Sequence, residues 1–332
     1  MSPRGFVARK VLAMAFVAVA SSATTTAADT DYGATYGGRA GGSALLPWFE
    51  AGPSDGETRR DTLVVITHDD INLPATGEYV HIRLFDVKSA EACNICRRWT
   101  REDVLKESIF SIITNECAGT GRALLEAGDS VPGRYVGYAT FEPSDSDTCL
   151  TIDEEGDFVP YYYQTQLQIG LAAGLNGPTY DDNLQPISSA DFDEFALDPG
   201  REMYFRILVG LDTPGENALA STRLWIWSDR SGACGADPDS ACLRGTSGAE
   251  GALRACDEAE NCFSAFVPDF DKEVNVLDVD EIIPASFISN GGWMSVVNPT
   301  NSPLNVLGYA DNEANGLGAT LNWRAIFPAQ RR

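Results

Sequence analysis

Nine residues at 161–169 (YYYQTQLQI) alternate with a period of two. Tyr163, Thr165, Leu167 and Ile169 point one way, and Tyr162, Gln164, Gln166 and Gln168 the other. Only extended backbone sends successive side chains to opposite faces, so this stretch reads as a half-buried β-strand. Residues 62–68 (TLVVITH) are β-branched and apolar, and residues 78–86 (EYVHIRLFD) alternate over a full strand; the connecting DDINLPATG, with Asp, Asn, Pro and Gly, is turn chemistry. Further strands are expected at 202–208, 222–228, 262–267, 293–297 and 304–310. A helix is expected only at 100–113, where Thr100 would cap it and Asp103 would lie in its first turn. The fold class that follows is all-β, with few short helices.

An approximate internal repeat orders these strands. GETRRDTLVVITHDD from Gly56 overlays GENALASTRLWIWSDR from Gly215 with one residue of slippage. Each copy follows an apolar strand, LLPWFEA from Leu45 or MYFRILV from Met203, and each half ends in a Gly-aromatic strand, GRYVGYATF from Gly133 or GGWMSVV from Gly291. The reading is two tandem β-sandwich domains at 44–176 and 201–332, joined by an Asp/Pro-rich linker at 177–200. On LVVITHDD, VHIRLFD and the terminal LGYADNEANGLGATLNWRAIFP, the chain loosely resembles the immunoglobulin-like modules of uncharacterised secreted bacterial proteins. That resemblance implies an extracellular or surface β-sandwich and supplies no catalytic residues.

The N-terminus carries a compartment signal. Arg4, Arg9 and Lys10 precede the apolar run VLAMAFVAVA at 11–20, and SSATTTAA at 21–28 supplies small residues for a signal peptidase. Residues 1–28 are expected to be a signal peptide and 29–43 a Gly-rich flexible start, with no membrane insertion after cleavage. Secretion to the periplasm, the cell surface or the medium follows. The whole chain has 48 acidic and 24 basic residues, for a net charge of −24, and its only lysines are Lys10, Lys88, Lys106 and Lys272. Removing 1–28 leaves 21 basic residues against 48 acidic, or −27. Such a charge excludes nucleic acid as a partner, because a phosphate backbone is bound by clustered Lys and Arg. It suits a protein kept soluble by surface charge, in salty surroundings.

Eight cysteines fit an oxidising destination. Cys234 with Cys242 and Cys256 with Cys262 each flank a short polar loop and read as local disulfides. Cys93, Cys96, Cys117 and Cys149 read as two more disulfides. A four-thiolate zinc site is the alternative for these four, although its signature needs a second C-x-x-C.

Enzyme chemistry has little to draw on, since the histidines are His68 and His81 alone. GDSVPG at 128–133 resembles a serine-hydrolase block, but no His lies beyond residue 81 to serve it. The better chemical candidate is calcium, held by acidic loops at Asp145 and Asp147, at Asp153, Glu155 and Asp157, and at Asp269 and Asp271. Trp225 and Trp227 share one face of the 222–228 strand with Arg223, and Leu224 and Ile226 occupy the other. If the Leu/Ile face alone lines the core, the two rings form a stacking platform for a glycan or an extracellular protein partner. If both sides of the sheet are covered, both faces are core. The function expected is a non-catalytic, extracellular or cell-surface binding or structural role. The alternatives are a calcium-assisted carbohydrate-binding protein and a secreted hydrolase with a carboxylate pair.

Mass spectrometry of the exported protein should find a new N-terminus at Thr24 or Asp29. An exported chain still beginning at Met1 would remove the signal-peptide reading.

Overall fold

The computed structural model describes residues 43–53, 59–68, 78–99, 104–128, 131–144, 146–150, 158–166, 171–175, 179–180, 196–207, 220–228, 253–265, 272–283, 291–298, 304–314 and 323–331. They form four antiparallel sheets, so the all-β class holds. The first sheet has the order β4 (Glu91–Trp99), β3 (Glu78–Phe85), β6 (Tyr135–Ser144), β1 (Ser43–Ala51) and β9 (Thr179–Tyr180). The second runs β5 (Leu105–Ser108), β2 (Arg60–His68), β7 (Phe158–Gln166) and β8 (Leu171–Leu175). The third runs β10 (Ala196–Leu197), β17 (Leu304–Ala314), β12 (Ala220–Ser228) and β15 (Val274–Asp278), with β18 (Trp323–Pro328) also on β17. The fourth runs β14 (Cys262–Ala265), β13 (Leu253–Asp257), β16 (Gly292–Val297), β11 (Glu202–Ile207) and β19 (Gln330–Arg331).

Residues 43–180 supply the first two sheets and residues 196–331 the other two. The third sheet belongs to both cores. Leu224, Ile226, Val306 and Ala310 on one face join Phe205, Met294 and Val296 of the fourth sheet. Trp225, Trp227, Leu307 and Tyr309 on the other face join the core built by residues 43–175. Period-two alternation on β12 and β17 thus produces a sheet that is apolar on both faces, because both are covered.

The contact between the halves depends on a bulge in β1. Leu46 pairs with Ala139 and Phe49 with Gly137, so Pro47 and Trp48 together oppose the single residue Tyr138. The extra residue re-aims the strand, and Trp48 lies flat on Trp225 with ring centroids 4.0 Å apart and planes 2° from parallel. Tyr138 meets Trp227 edge-on at 6.2 Å. Gly137 makes room here: a Cβ at that position would stand 2.0 Å from the Phe85 carbonyl oxygen and 3.0 Å from the Phe49 ring.

In the window 100–113 the expected helix is present only from Ile109, and Thr100 and Asp103 lie outside the described residues. Residues 105–108 form β5, which pairs with β2 from Leu63 to Ile66, and helix α1 (Ile109–Asn115) follows, capped by Ser108, whose hydroxyl accepts the Ser111 N–H at 3.0 Å. The open edge of β2 offers those residues a ladder of hydrogen bonds, which outweighs their local helical pattern. Helix α2 (Thr120–Ala127), unread in the sequence, packs on β4 so closely that a Cβ on Gly121 would meet the Ala92 carbonyl oxygen at 1.8 Å. A third helix, α3 (Val279–Ile282), follows β15. None of these is long and apolar enough to cross a membrane.

On β7 the glutamine side is the buried one. Tyr162 and Gln164 are 1% and 0% exposed, whereas Tyr161 and Tyr163 are each 40% exposed. Gln164 tolerates burial because its Oε1 accepts from the Thr62 hydroxyl at 2.8 Å.

Three disulfides join described cysteines: Cys93–Cys117, Cys96–Cys149 and Cys256–Cys262. In β4, Cys93 pairs across from Leu84 and Cys96 across from His81. An offset of three residues on a strand sends the two sulfurs to opposite faces. C-x-x-C therefore makes two separate crosslinks here, and the zinc alternative is replaced. Cys256 and Cys262 face each other across β13 and β14; Cys234 and Cys242 lie outside the described residues.

The crosslinks span 53, 24 and 6 residues for Cys96–Cys149, Cys93–Cys117 and Cys256–Cys262. Loop-closure entropy then ranks the cost of replacing each pair by Ala at about 4, 3.5 and 2 kcal/mol. Urea denaturation of the three double variants should reproduce that order.

Candidate functional site

The two halves meet around a buried cluster of charges whose centre is Glu50. This carboxylate follows the β1 bulge and is 3% exposed. Its Oε2 lies 2.9 Å from Arg60 Nη1 and 3.3 Å from Arg223 Nη1, and its Oε1 lies 2.8 Å from Arg134 Nε. Arg60 stands at the start of β2, Arg134 just before β6 and Arg223 in β12, so one carboxylate gathers cations from three sheets and both halves. Arg60 continues outward through Nη2 to Glu313 at 2.8 Å. Arg324 in β18 grips Asp311 as a fork, donating from Nε at 2.8 Å and from Nη2 at 2.7 Å, with both side chains almost wholly buried. Such paired, parallel donation is the arrangement guanidinium geometry favours.

The electrostatics follow from this placement. Burial alone would raise the Glu50 pKa, but Arg60, Arg134, Arg223 and Arg324 overcome it and hold the carboxyl at about 2. Burial opposes the charges on Arg223 and Arg324 too. Glu50 and Asp278 more than restore the first, and Asp311 and Glu313 the second, so both arginines have raised pKa values. Glu313 moves the other way, because burial and the adjacent Asp311 outweigh the pull of Arg60 and Arg324 and raise it. Asp61 is also raised by burial, although it accepts from the Ser108 hydroxyl at 2.6 Å and the Phe110 N–H at 3.0 Å.

On one side of this cluster the seam opens into a cleft of about 260 Å³. Val87 and Val136 line it from the first half, and Val274 and Val276 from β15. Its polar lining is Arg134, Arg223, Lys272 and Asp278. The walls are fixed by backbone: the Val87 carbonyl accepts from the Glu273 N–H at 2.8 Å and the Val274 N–H at 3.3 Å. Arg223 donates from Nε to Asp278 at 2.8 Å while its Nη1 points to Glu50. The Lys272 ammonium has no ion pair among the described residues. The cleft thus gathers three cations and one carboxylate around a concavity edged by the exposed Val276.

The sequence-derived candidates divide sharply. Arg223 belongs to the cleft. Trp225 and Trp227 do not form an exposed platform, since they are 0% and 2% exposed and covered by Trp48 and Tyr138 of the other half. Of the calcium candidates, Asp147 is an exposed turn residue, and Asp145, Asp153, Glu155, Asp157, Asp269 and Asp271 lie outside the described residues. Among the described residues no three His, Cys, Asp or Glu side chains come together as a metal site. His81 lies on β3 with Nδ1 3.5 Å from Glu142, whose other oxygen lies 3.6 Å from Arg83. Glu142 is fully buried beside the Arg83 guanidinium and the His81 ring, without a hydrogen bond.

Glu50, Arg60, Arg134, Lys272, Asp311, Glu313 and Arg324 went unread in the sequence. A signal existed for some of them. Glu50 interrupts the apolar run LLPWFEA, and Lys272 is one of three lysines beyond the signal segment. No family model, curated protein or solved structure matches the chain, so the site is read from its own geometry.

Replacing Glu50 by Gln would leave its arginines buried with less counter-charge and should destabilise the fold by about 3–5 kcal/mol at pH 7. The Glu50 pKa falls on folding from 4.5 to about 2, so its contribution is complete above pH 4.5 and is lost as pH falls toward 2. Asp61 and Glu313, with raised values, contribute the opposite slope. Urea denaturation across that range should therefore show a fall in stability that is flatter in Glu50→Gln than in the parent protein.

Proposed function

We propose that the chain is an exported, non-catalytic binding protein that works in an extracellular, periplasmic or cell-surface setting, with the seam cleft as its binding site. The observation that carries this reading is the cleft itself. In a chain of net charge −24, Arg134, Arg223 and Lys272 converge on one concavity walled by valines from both halves. Three features make it a preorganised receptor. Backbone hydrogen bonds fix the β15 wall, Glu50 orients Arg134 and Arg223, and disulfides crosslink β4 of the neighbouring hairpin to the chain around Cys117 and Cys149. The disulfides also suit an oxidising compartment.

A thermal-shift screen of the mature protein against small molecules and glycans tests this. Ligands should raise the melting temperature, lose that effect in Val276→Asp, which places a carboxylate on the cleft wall, and be recovered unchanged. Chemical turnover of a cleft ligand would overturn the non-catalytic reading. A screen with no cleft-dependent ligand would overturn the binding reading.

A further inference from the structure

Resting on that reading, we infer that the cleft takes a small free carboxylate with a compact apolar body, its carboxylate set between Lys272 and Arg223. Donor capacity supports the choice of an anion. A guanidinium has five N–H groups and an ammonium three. Arg223 directs Nε to Asp278 and Nη1 to Glu50, and no protein partner of its Nη2 or of the Lys272 ammonium occurs among the described residues. Among the described residues Asp278 is the one acidic residue lining the cleft, and Arg223 already engages it. At and behind the cleft Glu50, Glu313 and Asp278 supply a carboxylate each for Arg134, Arg60 and Arg223, so Lys272 is the lining cation left without a counter-charge among the described residues.

The walls decide what the anion carries. Val276, 36% exposed, presents methyl groups that a bare inorganic ion would leave wet, while Val87, Val136 and Val274 are 1–3% exposed and lie beneath it. The volume, about 260 Å³, equals that of about nine water molecules at ~30 Å³ each. That suits a single ring or short branched chain better than a polymer. Benzoate is smaller than this volume, enters with room for water, and carries one charge and an apolar face for Val276.

The test uses the mature, disulfide-bonded protein, with binding measured by calorimetry for benzoate, benzamide and sodium sulfate at matched ionic strength. Benzoate should bind while benzamide, of the same shape and uncharged, and sulfate, charged and without an apolar body, bind at least about tenfold more weakly. Lys272→Gln should weaken benzoate by at least about tenfold with the melting temperature of the free protein unchanged. Val276→Asp should do the same through repulsion and serves as a second, independent variant. Equal binding of benzoate and benzamide, or of benzoate and sulfate, would overturn the proposal, as would full affinity in both variants. If benzoate fails but the wider screen yields a cleft-dependent ligand of another class, the carboxylate inference falls and the binding reading stands. If neither yields a cleft ligand, both fall.

Discussion

Glu50 is the constraint on which the relation between the two halves depends. A carboxylate with 3% exposure cannot remain ionised in a protein interior unless cations meet it, and here Arg60, Arg134 and Arg223 do so at 2.8–3.3 Å. Each of those arginines is in turn held by where its own strand lies. Moving the third sheet relative to the first would separate Arg223 from Glu50 and leave both charges stranded. The cluster contributes less as net stabilisation, since desolvating so many charges costs about as much as their attraction returns. Its effect is on specificity of docking. The apolar contact beside it, Trp48 on Trp225, is large but tolerant of sliding, whereas the seam-crossing pairs Arg223–Glu50 at 3.3 Å and Arg60–Glu313 at 2.8 Å hold only when the strands are in register.

This division of labour explains the two-faced third sheet. A sheet covered on one side needs one apolar face, and alternation then exposes the other. In β12 the Leu224/Ile226 face closes the core of the second half, and the Trp225/Trp227 face closes the core of the first. At the β12 end nearest the cleft, the same alternation puts Arg223 on the Trp face, where solvent begins. The cleft is the place where apolar contact between the halves gives way to charge.

Much of the fold was legible because it is local. The strands at 62–68, 78–86, 222–228 and 293–297 were read from the residues within each stretch, β-branched and apolar or alternating, and match β2, β3, β12 and β16 within a few residues. The Cys256–Cys262 pair was legible for the same reason, since its partners are 6 residues apart. What stayed hidden depends on distance along the chain. Arg60 and Glu313 are 253 residues apart, and Arg223 and Glu50 are 173 apart. No window of sequence contains such a pair. The helix expected at 100–113 begins only at Ile109 for a related reason: the edge of β2 that captures residues 105–108 lies some forty positions earlier. The Trp pair shows the same limit more directly. Alternation placed Trp225 and Trp227 on one face, but only the position of Trp48 decides whether that face sees water or another ring.

The choice of basic residue follows from these positions as well. Where a cation must be buried and must meet carboxylates in fixed directions, the chain uses arginine: Arg60, Arg134, Arg223 and Arg324. Guanidinium is planar, weakly hydrated and does not give up its proton, so it tolerates such a site. Lysine, a strongly hydrated point charge on a flexible stem, is poorly suited to that work. Of the four lysines in the chain, Lys272 is the one that lines the cleft. It stands half-buried beside β15, next to a cluster that does not need it for charge balance. An ammonium held there carries its hydration at a cost, and an incoming carboxylate can replace that water without disturbing the arginines behind it. The arginines align the halves, and Lys272 lines the cleft without an ion pair among the described residues.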